Sequence, residues 1–300
     1  MATSAGQQNT GWDIVTGVGI TALVVAAARA IESGRPDALI DDPLAVHFAG
    51  TAPAHVAMPT TLAEAARGGA ESLAVWDHQA SQLGVRTRRF DRFLQQAGED
   101  GVTQAVILAA GLDVRAHRLD WPSGFRLFEI DQPRVLAFKD QVLAQHGAHP
   151  RCTRHPVAAD LRADWPVPLV EAGFDPALPT VWLAEGLLGY LSREAEEQLI
   201  DNVHELSAPG SRIALEHLRG IPQLTLESEF RRVSLFFDVD LHELMHDEDD
   251  RRDPDITFAA HGWQVSEEHP ERVAEQYGRK LDPISKAMAH HNRFVFAALG

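Results

Sequence analysis

The stretch QAVILAAGLDVRAHRLDWPSGFRLFEID, residues 104–131, decides the fold. Ala105, Val106, Ile107 and Leu108 form the short unbroken apolar run of a strand buried on both faces. Ala109, Ala110 and Gly111 then turn the chain. Residues this small let backbone N–H groups approach a ligand, and glycine takes positive φ without a Cβ clash. Arg126 to Ile130 reads as the next strand, and Asp131 follows it. An acid about twenty residues beyond such a turn is placed to bond ribose hydroxyls at the carboxyl end of its strand. The spacing predicts a cradle for a cofactor that carries an adenosine.

Outward from this unit the pattern is regular. Up to Ala97 only helical periodicity is present, at Ala22 to Ser33, Thr61 to Arg67 and Ser72 to Gln96. From Gln104 strands and helices alternate, with strands near Val106, Leu127, Val157, Val181, Ile213 and Phe294. Alternation of this kind predicts a parallel sheet covered by helices on both faces. A helix from Arg193 to Leu206 has a cap at Ser192, acids Glu194 and Glu196 in its first turn, and Pro209-Gly210 beyond its end. The apolar, aromatic run Arg293 to Leu299 predicts a last strand paired antiparallel at or near an edge. Arg219 to Pro254 has no strand signal and is too long for an ordinary connection, so it reads as a lid.

Composition bounds the function. The chain has 300 residues, 45% of them hydrophobic, enough for one large core. Nothing resembles an internal repeat or a long linker, which favours one domain. With 27 basic and 43 acidic residues the formal charge is −16, a balance that repels a phosphate backbone, so no nucleic-acid partner is expected. The single cysteine, Cys152, cannot close an internal disulfide, which points to the cytoplasm. Ile14 to Ala28 is apolar but has no basic residue before Arg29 and carries Asp13 at its start. It reads as a helix of small residues packed on the core, neither a secretory signal nor a membrane span.

The cradle is shared by nicotinamide dehydrogenases and S-adenosylmethionine methyltransferases. A dinucleotide turn wants G-x-G-x-x-G, whereas Ala109, Gly111 and Val114 stand at those places. Ala159-Asp160-Leu161 follows the third strand, where the acid can accept from an adenine amino group while leucine covers the ring. Glu185 follows the fourth strand. All these positions line the carboxyl edge of one sheet, where open α/β folds bind ligands.

Taken in order, the motifs resemble the leucine carboxyl methyltransferase family, in its actinobacterial and polyketide-tailoring O-methyltransferase branch. They are Ala22 to Arg29 with Asp42-Pro43, Val85 to Asp91, Ala110 to Arg115, Glu129 to Pro133, Ala159 to Leu161, and Ala184 to Leu188 with Tyr190. The resemblance implies an α/β, Rossmann-like class I methyltransferase: a mostly parallel seven-stranded sheet with helices on both faces, a helical N-terminal cover and a lid insertion. It implies one domain over 1–300, divided into a cover (1–97), a cofactor-binding core (98–218), a lid (219–255) and the C-terminal part of the sheet (256–300). The implied cofactor is S-adenosyl-L-methionine and the implied partner a small-molecule acceptor, a carboxyl or hydroxyl of a secondary metabolite. At matching positions, Arg29 and Arg86 would hold the methionine carboxylate and Ala110 with Gly111 would shape the floor. Asp131 with Gln132 would bind ribose, Asp160 and Leu161 adenine, and Glu185 would lie near the methionyl end. Ala109 departs from the glycine that many members have there.

Bland readings stand beside these. Arg29 could be a paired surface residue, and Arg88, Arg89 and Arg92 a basic helical face offset by Asp91. Asp131 and Asp160 could cap helices. A hydroxyl acceptor would profit from a base: His217, beside Glu216, is the candidate, although a histidine at a strand end often only satisfies local hydrogen bonds. Tyr190 could be catalytic or core. His242-Glu243-Leu244-Met245-His246 spells H-E-x-x-H, which on a helix can hold zinc and offers a rival zinc hydrolase. A third ligand would be needed, and nothing ties His261 or Glu267 to the pair. A cofactor-binding protein without activity is the third class. Leu224, Leu226, Phe230, Leu235, Phe236 and Phe237 could line an acceptor pocket or simply pack the lid.

Overall fold

The computed structural model describes residues 18–52, 58–220, 236–237, 245, 252–282, 285–286 and 290–300. Seven strands form one sheet: β1 (Gln104–Leu108), β2 (Arg126–Asp131), β3 (Thr153–Ala158), β4 (Thr180–Ala184), β5 (Arg212–Leu218), β6 (Trp263–Glu268) and β7 (Asn292–Leu299), in the spatial order 3-2-1-4-5-7-6. β1 to β5 run parallel, and β7 lies antiparallel between β5 and β6. The terminal strand is therefore one place in from the edge. β6 is the strand that the pattern did not mark, because its residues Gln264, Ser266 and Glu267 face water at a sheet edge and break the apolar run.

Strand alternation divides the core into two layers. Val106, Leu108, Phe128, Ile130, Trp182, Ala184, Ile213 and Leu215 point to one face, against Trp165, Leu169, Leu199 and Val203. Ala105, Ile107, Leu127, Val181, Leu183 and Ala214 point to the other, against Val85, Phe90, Leu94 and Ala97. Those four come from a 30-residue helix of the cover. The cover consists of α1 (Val18–Ser33), α2 (Ala45–Ala49), α3 (Leu62–Arg67) and α4 (Ala70–Glu99). Small residues let α1 lie close on α4: Ala27 and Ala28 meet Ala80 and Leu83, and a Cβ on Gly84 would stand 2.6 Å from the Glu32 carboxyl carbon. No helix among the described residues is long and apolar enough to cross a membrane.

The remaining helices are α5 (Arg115–Arg118), α6 (Pro133–Gln145), α7 (Pro166–Glu171), α8 (Arg193–Glu205), α9 (Pro254–Ala260) and α10 (Pro270–Gln276). Ser192 Oγ accepts from the Ala195 N–H at 3.3 Å, the expected cap of α8, worth about 1 kcal/mol. Of the residues expected to line an acceptor pocket, Leu224, Leu226, Phe230 and Leu235 lie outside the described residues, as do His242, Glu243 and His246. Phe236 and Phe237 pack against the cover, where Phe237 meets the Trp76 ring edge-on at 5.0 Å.

Beneath the edge of the sheet at β2 lies a buried ionic cluster. Glu129 Oε2 accepts from Lys139 Nζ at 2.7 Å and Arg154 Nε at 2.8 Å, with Glu129 and Lys139 fully enclosed. His117 of α5 lies near this cluster. Burial, helped by the positive charges of Arg154 and Lys139, pushes its imidazole down to about 4 from an ordinary 6.5. A depressed histidine contributes stability that is fully present above pH 6.5 and is lost as the pH falls toward 4. Between pH 7 and 5 the protein should lose roughly 2 kcal/mol through this residue. Chemical denaturation of wild type and His117→Gln at both pH values checks this: the variant should lose that part of the slope.

Candidate functional site

The sheet reverses its strand order between β1 and β4, and open α/β sheets bind ligands at such a point. The register determines what meets there. Leu108 pairs with both Ile130 and Ala184, and Ala184 with Leu215. One residue further, Ala109, Asp131, Glu185 and Glu216 form a row along the carboxyl edge.

The turn after β1 is held in an unusual backbone conformation. Ala109 has φ +51° and Gly111 φ +49°, so a left-handed residue stands on each side of Ala110. Ala109 is the only non-glycine residue with positive φ among the described residues, at a cost of about 1 kcal/mol or more. The departure from glycine in the motif thus leaves the glycine-like backbone intact. Two hydrogen bonds fix the turn: Ala110 N–H donates to Ile130 O at 2.9 Å and Gly111 N–H to Asp131 Oδ2 at 2.6 Å. Asp131 Oδ1 accepts from the Gln132 N–H at 2.7 Å. Burial raises the Asp131 carboxyl above its ordinary value, and these two backbone donors oppose the rise. The nearest atom to a Cβ on Gly111 would be Ala109 O, at 3.9 Å, so the space before the turn is open.

On the α4 side, four guanidinium groups meet five carboxylates. Glu185 Oε1 accepts from Arg29 Nη2 at 3.1 Å and Arg86 Nε at 2.9 Å, and Glu185 Oε2 stands 2.8 Å from Arg115 Nη2. Arg86 Nη1 donates to Glu216 Oε2 at 2.6 Å, and Asn292 Nδ2 donates to Glu216 Oε1 at 2.7 Å. Arg115 is fully buried; it donates through Nε to Asp91 Oδ1 at 2.7 Å and through Nη1 to Asp113 Oδ2. Asp91 also takes both terminal nitrogens of Arg118, at 2.6 and 2.7 Å. Asp42 is buried within reach of the Arg118 and Arg29 charges. Burial pushes the Glu185 carboxyl up, but the charges of Arg115, Arg86 and Arg29 outweigh it and hold Glu185 well below the usual carboxylate range.

The arginines that the resemblance assigned to a methionine carboxylate are thus joined here to a carboxylate of the chain itself. Arg29 is 6% exposed, which removes the surface reading. Asp91 does not offset a basic face but turns inward. Of the neighbours on that helix, Arg89 forks onto Glu268 at 2.7 and 2.9 Å, and Arg92 binds Glu99. Asp160 stands apart at the β3 edge, half exposed, with its carboxylate taken by Arg162 Nε and Nη2 at 2.9 and 2.6 Å. Leu161 packs against the core beside it.

The two base candidates differ in setting, Tyr190 lying near the Glu216 and Arg86 charges. Alternation along β5 sends Glu216 toward α4 and His217 to the opposite face, where His217 Nε2 is 3.1 Å from Asp253 Oδ1. Tyr190 lies on the turn before α8 and bonds Thr21; burial raises its phenol, which stays protonated at neutral pH. The proposed third zinc ligands are engaged otherwise: His261 Nε2 stands 2.8 Å from Asp201 Oδ1, and Glu267 pairs with Arg219. Sequence reading gave no role to Arg115, Asp113, Arg118 or Asn292. The signal available for Arg115 was the Asp113-Val114-Arg115 charge pair that closes an otherwise apolar strand and turn.

Comparison with known proteins agrees with this geometry. The sequence pattern of leucine carboxyl methyltransferases matches residues 22–204. A protein of Saccharopolyspora erythraea is 47% identical over 289 residues, covering 96% of this chain and 98% of that protein. Another, of Mycobacteroides abscessus, is 47% identical over 272 residues, covering 89% and 86%. Both carry the provisional name of S-adenosyl-L-methionine-dependent methyltransferases. Among solved structures, one from Thermobifida fusca provisionally named a methyltransferase superposes with TM-score 0.53 at 17% identity, over 92% of this chain and 94% of that one. A DUF574 family protein from Streptomyces avermitilis gives 0.52 at 14%, over 92% and 97%. These two show the fold. The chain belongs to the leucine carboxyl methyltransferase family, and with it to the methyltransferases that depend on S-adenosylmethionine.

Proposed function

We propose that the chain transfers the methyl group of S-adenosylmethionine to an oxygen, carboxyl or hydroxyl, of a small molecule of secondary metabolism, and that it works in the cytoplasm without nucleic acid or membrane. One observation carries the assignment of the donor site. Glu185 Oε2 and Arg29 Nε are both buried without a directed hydrogen bond, in one cluster at the reversal point of the sheet. Arg115 Nη2 stands 2.8 Å from Glu185 Oε2, an ion contact that leaves this oxygen a lone pair for a further donor. An unused acid acceptor and an unused guanidinium donor complement the ammonium and carboxylate of an amino-acid moiety.

In this reading Arg29 and Arg86 hold the carboxylate of that moiety and Glu185 takes its ammonium. The turn at Ala110 and Gly111 gives close backbone approach, Asp131 and Gln132 bond the ribose, and Asp160 with Leu161 hold the adenine. When bound, S-adenosylmethionine supplies a methyl carbon already activated by its sulfonium. The chain's own work is to align an acceptor and exclude water. A carboxylate acceptor arrives deprotonated. For a hydroxyl acceptor, His217 oriented by Asp253 takes the proton, and Tyr190 is the second candidate for acid–base work.

The test uses donor labelled on the methyl group and a panel of small carboxylic acids, phenols and alcohols. Label should move to an acid or a hydroxyl compound, and mild alkali then separates the two, releasing methanol from an ester but not from an ether. Transfer only to nitrogen or carbon would refute the oxygen assignment, and binding without any transfer would leave a cofactor-binding protein. His217→Gln should lower the rate about 10²–10⁴-fold with a hydroxyl acceptor and by less than about tenfold with a carboxylate. Comparing kcat for the variant on the two acceptor types checks it.

A further inference from the structure

We propose that Arg115 is the positioning residue of the donor pocket: it clamps Glu185 so that Oε2 is kept, without a directed hydrogen bond, for a ligand's ammonium group. The inference rests on the donor site proposed above and assigns a role to a residue that touches no ligand in it.

Three observations carry it. Arg115 is held at its backbone as well as at its guanidinium: its N–H donates to Asp113 Oδ1 at 2.7 Å and its carbonyl accepts from Trp121 Nε1 at 3.0 Å. Its guanidinium is shared among Asp91 of α4, Asp113 of the preceding turn and Glu185 after β4. A planar fork pinned at two corners can present its third nitrogen in only one place. Second, the contacts to Glu185 divide by oxygen. Arg29 and Arg86 take Oε1 in directed hydrogen bonds, whereas Arg115 neutralises Oε2 at 2.8 Å without using its lone pair well. Third, the groups around Glu185 come from different elements, Arg29 from α1, Arg86 from α4, Arg115 from α5 and Glu216 from β5, and of the arginines only Arg115 is fully enclosed. Removing it would leave Glu185 to swing toward Arg29 and Arg86 with both oxygens, spending the acceptor.

A double-mutant cycle on calorimetric affinity for S-adenosylhomocysteine tests this, with wild type, Arg115→Met, Glu185→Gln and the double variant. Each single variant should weaken binding about tenfold or more, while the double should be within about threefold of Glu185→Gln alone. A residue that only holds the fold together would lower the melting temperature and give additive losses in affinity, which would overturn the proposal. Arg115→Lys keeps a cation but cannot span the three acids; it should recover part of the affinity lost in Arg115→Met. If Arg115→Met does not fold, the cycle is run with Arg115→Lys, and the same non-additivity is expected at smaller amplitude. Additive losses with the lysine variant overturn the proposal equally. Wild type that fails to bind S-adenosylhomocysteine would instead remove the donor site on which the inference stands.

Discussion

Arg86→Ala should weaken binding of S-adenosylhomocysteine by roughly 30- to 150-fold, or about 2–3 kcal/mol, the worth of lost charge-assisted hydrogen bonds in a buried site. The reason is positional. Arg86 projects from the middle of α4 to the carboxyl edge of the sheet and bridges Glu185 on one strand tip to Glu216 on the next. Its loss would take away the proposed carboxylate ligand and also loosen Glu185. The fold should persist, because Glu216 keeps Asn292 and Glu185 keeps Arg29 and Arg115. Arg86→Lys retains the charge without the fork and should fall between the two. Asp131→Ala should also weaken binding, by more than about 1 kcal/mol, because its oxygens brace the Gly111 and Gln132 N–H groups as well as facing the expected ribose. Calorimetric titration measures both, and wild-type affinity in both variants would mean that the pocket is elsewhere.

The largest loss of stability is expected at Asp91, which touches no ligand in this account. Asp91→Ala removes the shared partner of two buried guanidinium groups, Arg115 Nε and both terminal nitrogens of Arg118. Breaking a buried pair from one side costs about 3–5 kcal/mol, a large part of a total stability of roughly 5–15 kcal/mol. A thermal melt should show the midpoint falling by roughly 10 °C. Arg92→Ala on the same helix is the contrast. Its ion pair with Glu99 is half exposed, so the midpoint should move by no more than a degree or two, in line with less than about 1 kcal/mol for a surface pair. Equal shifts in the two variants would mean that the buried cluster does not tie the cover to the sheet.

The acid side of the stability curve follows from the same cluster. Glu185 is held below its ordinary 4.5, so its contribution is complete above that pH and is lost as the pH falls further. The loss at His117 begins earlier, below pH 6.5, so two separate contributions decline as acid is added.

What could be read from the chain was mostly local. The runs at Ala105 to Leu108 and Val181 to Ala184 are apolar because both faces are covered, so β1 and β4 were plain. Asp131 ends its strand, Glu185 directly follows one and Asp160 follows one by two residues, which makes these acids legible once the strands are placed. Trp263 to Glu268 escaped because a short edge strand with only Trp263 and Val265 apolar gives little apolar signal. The hub at Arg115 escaped for another reason. It lies 24 residues from Asp91 and 70 from Glu185, and only the register of β1 with β4 together with the packing of α4 brings the three together. Nor did spacing show that Arg29 and Arg86 converge on one acid, since that depends on the close approach of α1 to α4 at Gly84.

The reversal point of the sheet is expected to hold an S-adenosyl amino acid through Glu185, its arginines and Asp131. Titrating the wild-type protein with S-adenosylhomocysteine in a calorimeter, with a nicotinamide dinucleotide as the comparison ligand, tests it most directly. One site per chain with a Kd of about 1–100 μM is expected for the first ligand, some 6–8 kcal/mol, and no heat from the second. No heat from S-adenosylhomocysteine, or tighter binding of the dinucleotide, would contradict it.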